Sequence, residues 1–309
     1  MGFFSWGSIR YFSSAEKGYV DVGRVAMVVP CVIAVLLLYC AGLILNDLLD
    51  IKEDRRDRPN RPLPSGQIGT RAAGITAIVL LIGGVSAASL NGPLCAGIAA
   101  ALAILVVSYN AGVKRIAIAG PLNMGLCRGL SVLLGLAISS SLHLGQDSPG
   151  GLLTWERLSM LLSHPFYSIT PMVLYIASVT LIASRETKTT RMHIRPWLPG
   201  VVAAVWMSCT IYPYPQWDSA SSYLSLIVIA VVPAAVALFC GWRLRGAPPP
   251  PVVQTAVGEL VGNLLLIQAA TVYFNSYSTM AHREGIPFAM ALGLAYLVFI
   301  LLSKRFHAS

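Results

Sequence analysis

Long apolar runs separated by short polar stretches dominate the chain. Runs long enough to span a bilayer occur at about 25–45, 70–90, 94–112, 122–142, 166–183, 197–212, 222–242, 254–275 and 287–303. A helix needs about 20 apolar residues to cross the hydrocarbon core. Segments of that length satisfy their own backbone in lipid only as helices. The pattern therefore predicts an all-α, polytopic transmembrane helical bundle of about nine spans, with 1–309 as a single domain. The run at 197–212 is short, which fits a tilted or partly interfacial helix. Residues 150–163 read as a short amphipathic helix at the outer interface, and Pro248–Pro251 as a stiff extended linker.

Charge placement orients these spans. Lys52, Arg55, Arg56, Arg58, Arg61 and Arg71 follow the first span. Lys114 and Arg115 follow the third, and Arg185, Lys188, Arg191 and Arg195 the fifth. Arg243 and Arg245 follow the seventh, and Lys304 and Arg305 end the chain. The opposite loops hold only Arg157 and Arg283. Cytoplasmic loops collect basic residues, so the 46–70, 113–121, 184–196 and 243–253 loops are expected in the cytoplasm. Arg10, Lys17 and Arg24 break the alternation, as if a helix were missing ahead of them or the segment 1–20 dipped into the membrane.

Composition agrees with a membrane chain. Only 11% of the 309 residues are charged and 56% are hydrophobic, against about 25% charged in soluble domains. That excludes a soluble enzyme, a disordered chain and a nucleic-acid-binding domain, and the net charge of +9 follows from the basic loops rather than from a polyanion partner. The six cysteines lie in or near apolar runs without a CxxC pair, and the five histidines form no metal-binding pattern. The pattern leads us to expect no cleaved signal peptide, myristoylation or CaaX prenylation.

Candidate chemistry gathers where the first span ends. Asn46, Asp50 and Asp54 are spaced four apart, and Asp47 stands three and seven residues from Asp50 and Asp54. In a continuing helix these oxygens share one face and repel one another unless a cation neutralises them. Mg²⁺ suits such a donor set, because it takes oxygen ligands and is often shared between carboxylates and substrate phosphates. A solvated acidic helix end paired with Lys52 and Arg55 is the plainer alternative. The next residues, Arg55-Arg56-Asp57-Arg58-Pro59-Asn60-Arg61-Pro62-Leu63-Pro64-Ser65-Gly66, stop the helix with three prolines and hold Arg58 and Arg61 near the acids. Arginine forks suit a diphosphate, while a basic loop touching anionic lipid explains the charges but not the prolines.

These 21 residues, Asn46 to Gly66, resemble the first signature of the UbiA-type intramembrane prenyltransferases. Ser108-Tyr109-Asn110 with Lys114 is similar to the family's Tyr…Lys element, and Gly120 to Leu130, with Asn123 and Arg128, to the segment after it. The Met124-Gly-Leu-Cys-Arg-Gly wording resembles the EboC-like branch. The resemblance implies an isoprenyl diphosphate donor, a lipophilic or aromatic acceptor, Mg²⁺, and a multi-pass protein in the surrounding lipid of a bacterial cytoplasmic membrane. It assigns Asp50, Asp54, Lys114 and Arg128 to catalysis. Asn46, Asp47, Asp50 and Asp54 are assigned to the metal. Asn46, Arg58, Arg61, Tyr109, Asn110, Asn123, Arg185 and Glu186 are assigned to substrate.

Two departures qualify it. Where the family carries a second DxxxD motif, Ala183-Ser184-Arg185-Glu186-Thr187-Lys188 has one acid, which implies a single Mg²⁺ with Arg185 or Lys188 supplying the other charge, or only a basic turn. The family also places two spans before the first motif and one is found here, so a first helix is expected to be missing. A membrane protein of this fold that binds or transports a prenylated lipid without chemistry is the competing reading. Glu259 and Asn263, one turn apart inside a span, read as acceptor binding, a pair with Arg243, or a polar helix contact.

Overall fold

The computed structural model describes residues 22–143, 169–184, 195–211, 220–278 and 282–306. Among them the chain is helical, with no strand. The helices are α1 (Val22–Leu49), α2 (Ile51–Asp57), α3 (Thr70–Ser89), α4 (Pro93–Ala111), α5 (Ala119–His143), α6 (Thr170–Ala183), α7 (Leu198–Ile211), α8 (Ala220–Arg243), α9 (Pro250–Ser278) and α10 (His282–Phe306). Each of the nine expected spans coincides with one of them, and α2 is the short extra helix that carries part of the acidic motif. Residues 1–21, 150–163 and 185–194 lie outside the described residues, and with them the N-terminal basic segment, the interfacial helix, Arg185 and Glu186.

Val28–Leu49, Thr70–Ser89, Pro93–Ala111 and Pro250–Tyr273 are long and apolar enough to cross a membrane. Their burial pattern is that of a lipid-facing bundle. In α3 the small residues Ala73, Ala77, Gly84 and Ala88 are buried, whereas Ile75, Ile78, Val79 and Ile82 are exposed. Water would favour the reverse, but in lipid large apolar side chains are at home outside and small ones let helices approach. Gly84 shows how close: a Cβ there would stand 2.7 Å from Leu38 Cγ and 3.1 Å from the Ala34 carbonyl on α1. The chain is an integral membrane protein.

The helices fall into two compact units. In the first, α1 packs against α3, α4 and α5 around a core that includes Cys31, Ala34, Leu38, Cys95, Leu102 and Leu134. In the second, α9 packs against α6, α7, α8 and α10. Tyr175 of α6 is fully buried there and donates to the Leu260 carbonyl at 2.9 Å. The run Pro248–Pro251 is not wholly a linker. Pro250 and Pro251 form the first turn of α9, where a fixed φ and a missing N–H cost nothing.

Candidate functional site

The first unit assembles the acidic motif. α1 ends at Leu49, and Asp50 adopts φ −92° and ψ 6°, a small departure from helix. The hydrogen-bond ladder nevertheless runs on. The Asp50 N–H donates to the Asn46 carbonyl at 3.0 Å, Asp54 to Asp50 at 2.9 Å and Arg58 to Asp54 at 2.7 Å. Asn46, Asp50 and Asp54 therefore keep one face in common through the α1–α2 junction. Asp54 is buried, and Asn46, Asp47 and Asp50 are half-buried.

Two cations bracket this face. Lys114 Nζ donates to Asn46 Oδ1 at 3.1 Å and to Asp50 Oδ2 at 2.5 Å. Arg61 Nη1 donates to Asp54 Oδ2 at 2.9 Å and to Asp47 Oδ1 at 3.3 Å. The Lys114–Asp50 pair is the more enclosed, with side chains 15% and 20% exposed.

Local structure explains both placements. Pro59 and Pro62 end helical geometry after Asp57, and the loop turns back on itself. The Ser65 N–H bonds to the Arg61 carbonyl at 2.9 Å and the Ile68 N–H to the Pro62 carbonyl at 3.1 Å, while Leu63 is buried as an anchor. Lys114 sits in a short 3₁₀ turn, Val113–Arg115, after α4. The first turn of α5 presses on that turn at Gly120, where a Cβ would meet the Lys114 carbonyl at 2.9 Å and its Cα at 3.0 Å. Only glycine allows this approach.

The other candidates are placed differently. Arg58 is exposed and lines an open hollow with Arg61, but makes no bond to the acids among the described residues. Asn110 is buried and donates to the Val106 carbonyl at 2.9 Å and the Gly42 carbonyl at 3.4 Å, one turn below Asn46, leaving its Oδ1 without a partner among the described residues. Asn123 is buried and donates to Ser108 Oγ at 2.9 Å, tying α5 to α4. Tyr109 is half-buried. Arg128 does not join the acids: its guanidinium lies over the Tyr39 ring, 5.8 Å from the centroid.

Sequence reasoning missed Tyr39, and the only signal for it was a cation inside a span that needed a partner. Nearby, Arg56 Nε bonds Asp57 Oδ1 at 2.7 Å, an exposed pair that holds the Asp57 carboxyl below the usual carboxylate range and keeps it out of the ladder.

The donor set fits a hard divalent cation. No three acidic, histidine or cysteine groups converge among the described residues. Asp47, Asp50 and Asp54 nevertheless each keep one carboxylate oxygen unengaged there. Mg²⁺ bound through one or two carboxylates and completed by substrate phosphates needs no more.

In the second unit Glu259 is not left for an acceptor. Arg243 Nη1 donates to both of its oxygens, at 2.8 Å and 2.6 Å, and Cys240 Sγ reaches Oε2 at 3.3 Å. Asn263, fully buried, donates to the Pro233 carbonyl at 2.9 Å and to Tyr175 Oη at 3.2 Å. Both are contacts between helices of that unit.

Comparison with known proteins adds the family. The sequence model of the UbiA prenyltransferase family matches residues 3–256. A digeranylgeranylglyceryl phosphate synthase from Methanoculleus marisnigri is 35% identical over 83 residues, which cover 27% of this chain and 30% of that protein. The enzyme of that name from Methanoregula boonei is 41% identical over 80 residues, 26% of this chain and 29% of the relative. The one from Sulfurisphaera tokodaii is 38% identical over 103 residues, 33% and 34% of the two chains. The matched stretch thus spans about a third or less of the length of these relatives. A solved structure described as "Structural and mechanistic insights into the biosynthesis of Digeranylgeranylglyceryl phosphate synthase in membranes" superposes with a TM-score of 0.56 at 16% identity, covering 91% of this chain and 92% of that one. That likeness is one of fold.

Proposed function

Because the chain belongs to the UbiA prenyltransferase family, we propose that it transfers an isoprenyl group, inside the membrane, from an isoprenyl diphosphate to a lipophilic acceptor. The observation that carries this reading is the carboxylate ladder at the end of an apolar helix, bracketed by Lys114 and Arg61. The arrangement holds charge of both signs in reserve: acids for a divalent cation and cations for a diphosphate.

Asp50 and Asp54 are the residues that would hold Mg²⁺, with Asp47 and Asn46 beside them. When bound, the ion offsets negative charge gathering on the leaving diphosphate. Lys114 and Arg61 do the same work from the protein side, donating to diphosphate oxygens once the acids have another partner. Preplaced donors of this kind stabilise the transition state more than the ground state. The allylic carbon–oxygen bond breaks with its electron pair going to the diphosphate. The acceptor's nucleophilic atom bonds that carbon and its proton passes to the released diphosphate. Tyr109 offers a ring face to the cationic carbon, and the helical interior keeps water away. Arg58, on the loop that carries Arg61, adds a further cation beside the diphosphate. The basic loops favour placing it at the cytoplasmic face.

The relatives' name points to a first acceptor. Removing one geranylgeranyl group from digeranylgeranylglyceryl phosphate leaves a prenylated glyceryl phosphate. Purified protein in lipid is given labelled isoprenyl diphosphates of several lengths, this acceptor and a lipid extract, with and without Mg²⁺. Mg²⁺-dependent diphosphate release, with label entering a new lipid and lost in Asp50→Asn, supports the transferase. Donor binding without release supports the alternative, a lipid-binding protein of the same fold. The sequence feature that favours that second reading is the stretch Ser184-Arg185-Glu186-Thr187-Lys188, which has one acid where the family carries DxxxD.

A further inference from the structure

Arg128 stands in α5 within an apolar run, and no carboxylate pairs with it among the described residues. A half-buried guanidinium inside a span is costly and marks a functional position by default. Stacking on Tyr39 returns only part of what desolvating the ion costs.

Geometry separates Arg128 from the diphosphate site. Tyr39 precedes Asn46 by seven residues of α1, so at 1.5 Å per residue it lies about 10 Å further into the span. α5 agrees: Gly120 abuts Lys114, and Arg128 is eight residues on, about 12 Å deeper. The guanidinium itself stands over the Tyr39 ring and makes no bond to Asn46 or Asp50, the residues that Lys114 holds, among the described residues. The stacking also leaves the chemistry open, because a ring covers the face of the guanidinium while its N–H groups point outward in the plane. A planar fork with a free edge is suited to a phosphate or carboxylate. Along α1, Tyr39 is flanked by Leu36 and Leu43 at helical spacing, all three about half exposed, which gives an apolar stripe beside the cation.

We propose that Arg128, stacked on Tyr39, binds the anionic head of the acceptor, so that the protein selects prenylated lipids carrying a phosphate or carboxylate over their neutral analogues. The inference rests on the prenyltransferase reading for the role of acceptor. The reacting carbon then lies between two anion sites, which keeps the donor's charge apart from the acceptor's.

The test uses the full chain in lipid nanodiscs with geranylgeranyl diphosphate and Mg²⁺. Two acceptors differ only in the head: geranylgeranylglyceryl phosphate and its dephosphorylated alcohol. Wild type is expected to prefer the phosphate at least tenfold in kcat/KM. Arg128→Gln is expected to raise the KM of the phosphate acceptor tenfold or more and bring the preference close to one, with the donor KM within twofold. Arg128→Lys restores part of the preference. A preference that survives in Arg128→Gln, or a donor KM that rises in step, overturns the proposal. If neither acceptor turns over, binding of the same two lipids is measured by native mass spectrometry. Loss of the phosphate preference in Arg128→Gln then supports the head site although the transferase reading has failed. Equal binding of both lipids to wild type overturns the head site.

Discussion

Lys114 and Asp50 meet at 2.5 Å although 64 residues separate them, joining the turn after α4 to the end of α1. Both side chains are largely enclosed, so each is the other's main counter-charge. Removing one partner of such a pair leaves an uncompensated ion, at a cost of about 3–5 kcal/mol. Asp50→Asn and Lys114→Met are each expected to lower the midpoint of thermal unfolding, and the double variant to regain much of that loss. Diphosphate release is expected to stay at least about 10²-fold down in all three. Thermal melts beside turnover of the four proteins decide it. A double variant with recovered turnover would remove the pair from the chemistry.

Arg61 poses the opposite problem. It bonds Asp54 at 2.9 Å and Asp47 at 3.3 Å, so it occupies charge that a divalent cation would use. Arg61→Ala leaves two carboxylates without their cation. Mg²⁺ is then expected to bind several-fold more tightly and to raise the melting temperature more than in wild type, while the donor KM increases. Calorimetric titration with Mg²⁺ and donor kinetics read the two signs separately. Weaker Mg²⁺ binding in Arg61→Ala would mean that the loop arginine does not compete for the acids.

The acids are already neutralised by side chains, which predicts how the fold responds to metal removal. A chelator is expected to stop diphosphate release while leaving the helical circular dichroism signal unchanged, because Lys114 and Arg61 keep the ladder paired. Collapse of the helical signal on chelation would show that these cations do not suffice.

Much of this site was legible because its main feature is periodic. Four-residue spacing placed Asn46, Asp50 and Asp54 on one face, and the i→i+4 bonds through Asp50 keep them there. Span lengths and basic loops likewise carried the helix count, since apolar length and charge are local properties. Contacts between distant segments were not legible. Arg61 rather than Arg58 turns back on the acids because the loop's internal bonds and buried Leu63 aim it, and no spacing rule shows that. Lys114 entered only through resemblance. Arg128 was assigned to the diphosphate by the same resemblance, whereas its distance from Asn46 along α1 and its Tyr39 partner depend on how α5 docks. Pro250 read as linker because proline stops helices, yet at a first turn it starts one.

The Arg243–Glu259 pair offers a contrast with the ladder. Two hydrogen bonds from one nitrogen, at 2.8 Å and 2.6 Å, satisfy both carboxylate oxygens, and Cys240 adds a third contact. A carboxylate so occupied has little left for a substrate, and its side chain is 38% exposed, so its loss is modest. Glu259→Gln is expected to cost about 1 kcal/mol of stability and to leave the KM of both substrates within twofold. Asn263→Ala, one turn along α9, is expected to cost more, about 2–3 kcal/mol, because it strips a fully buried amide from Tyr175 and the Pro233 carbonyl. Melting curves in lipid check the order. A Glu259→Gln variant of normal stability but tenfold lower acceptor kcat/KM would transfer this pair from packing to substrate recognition.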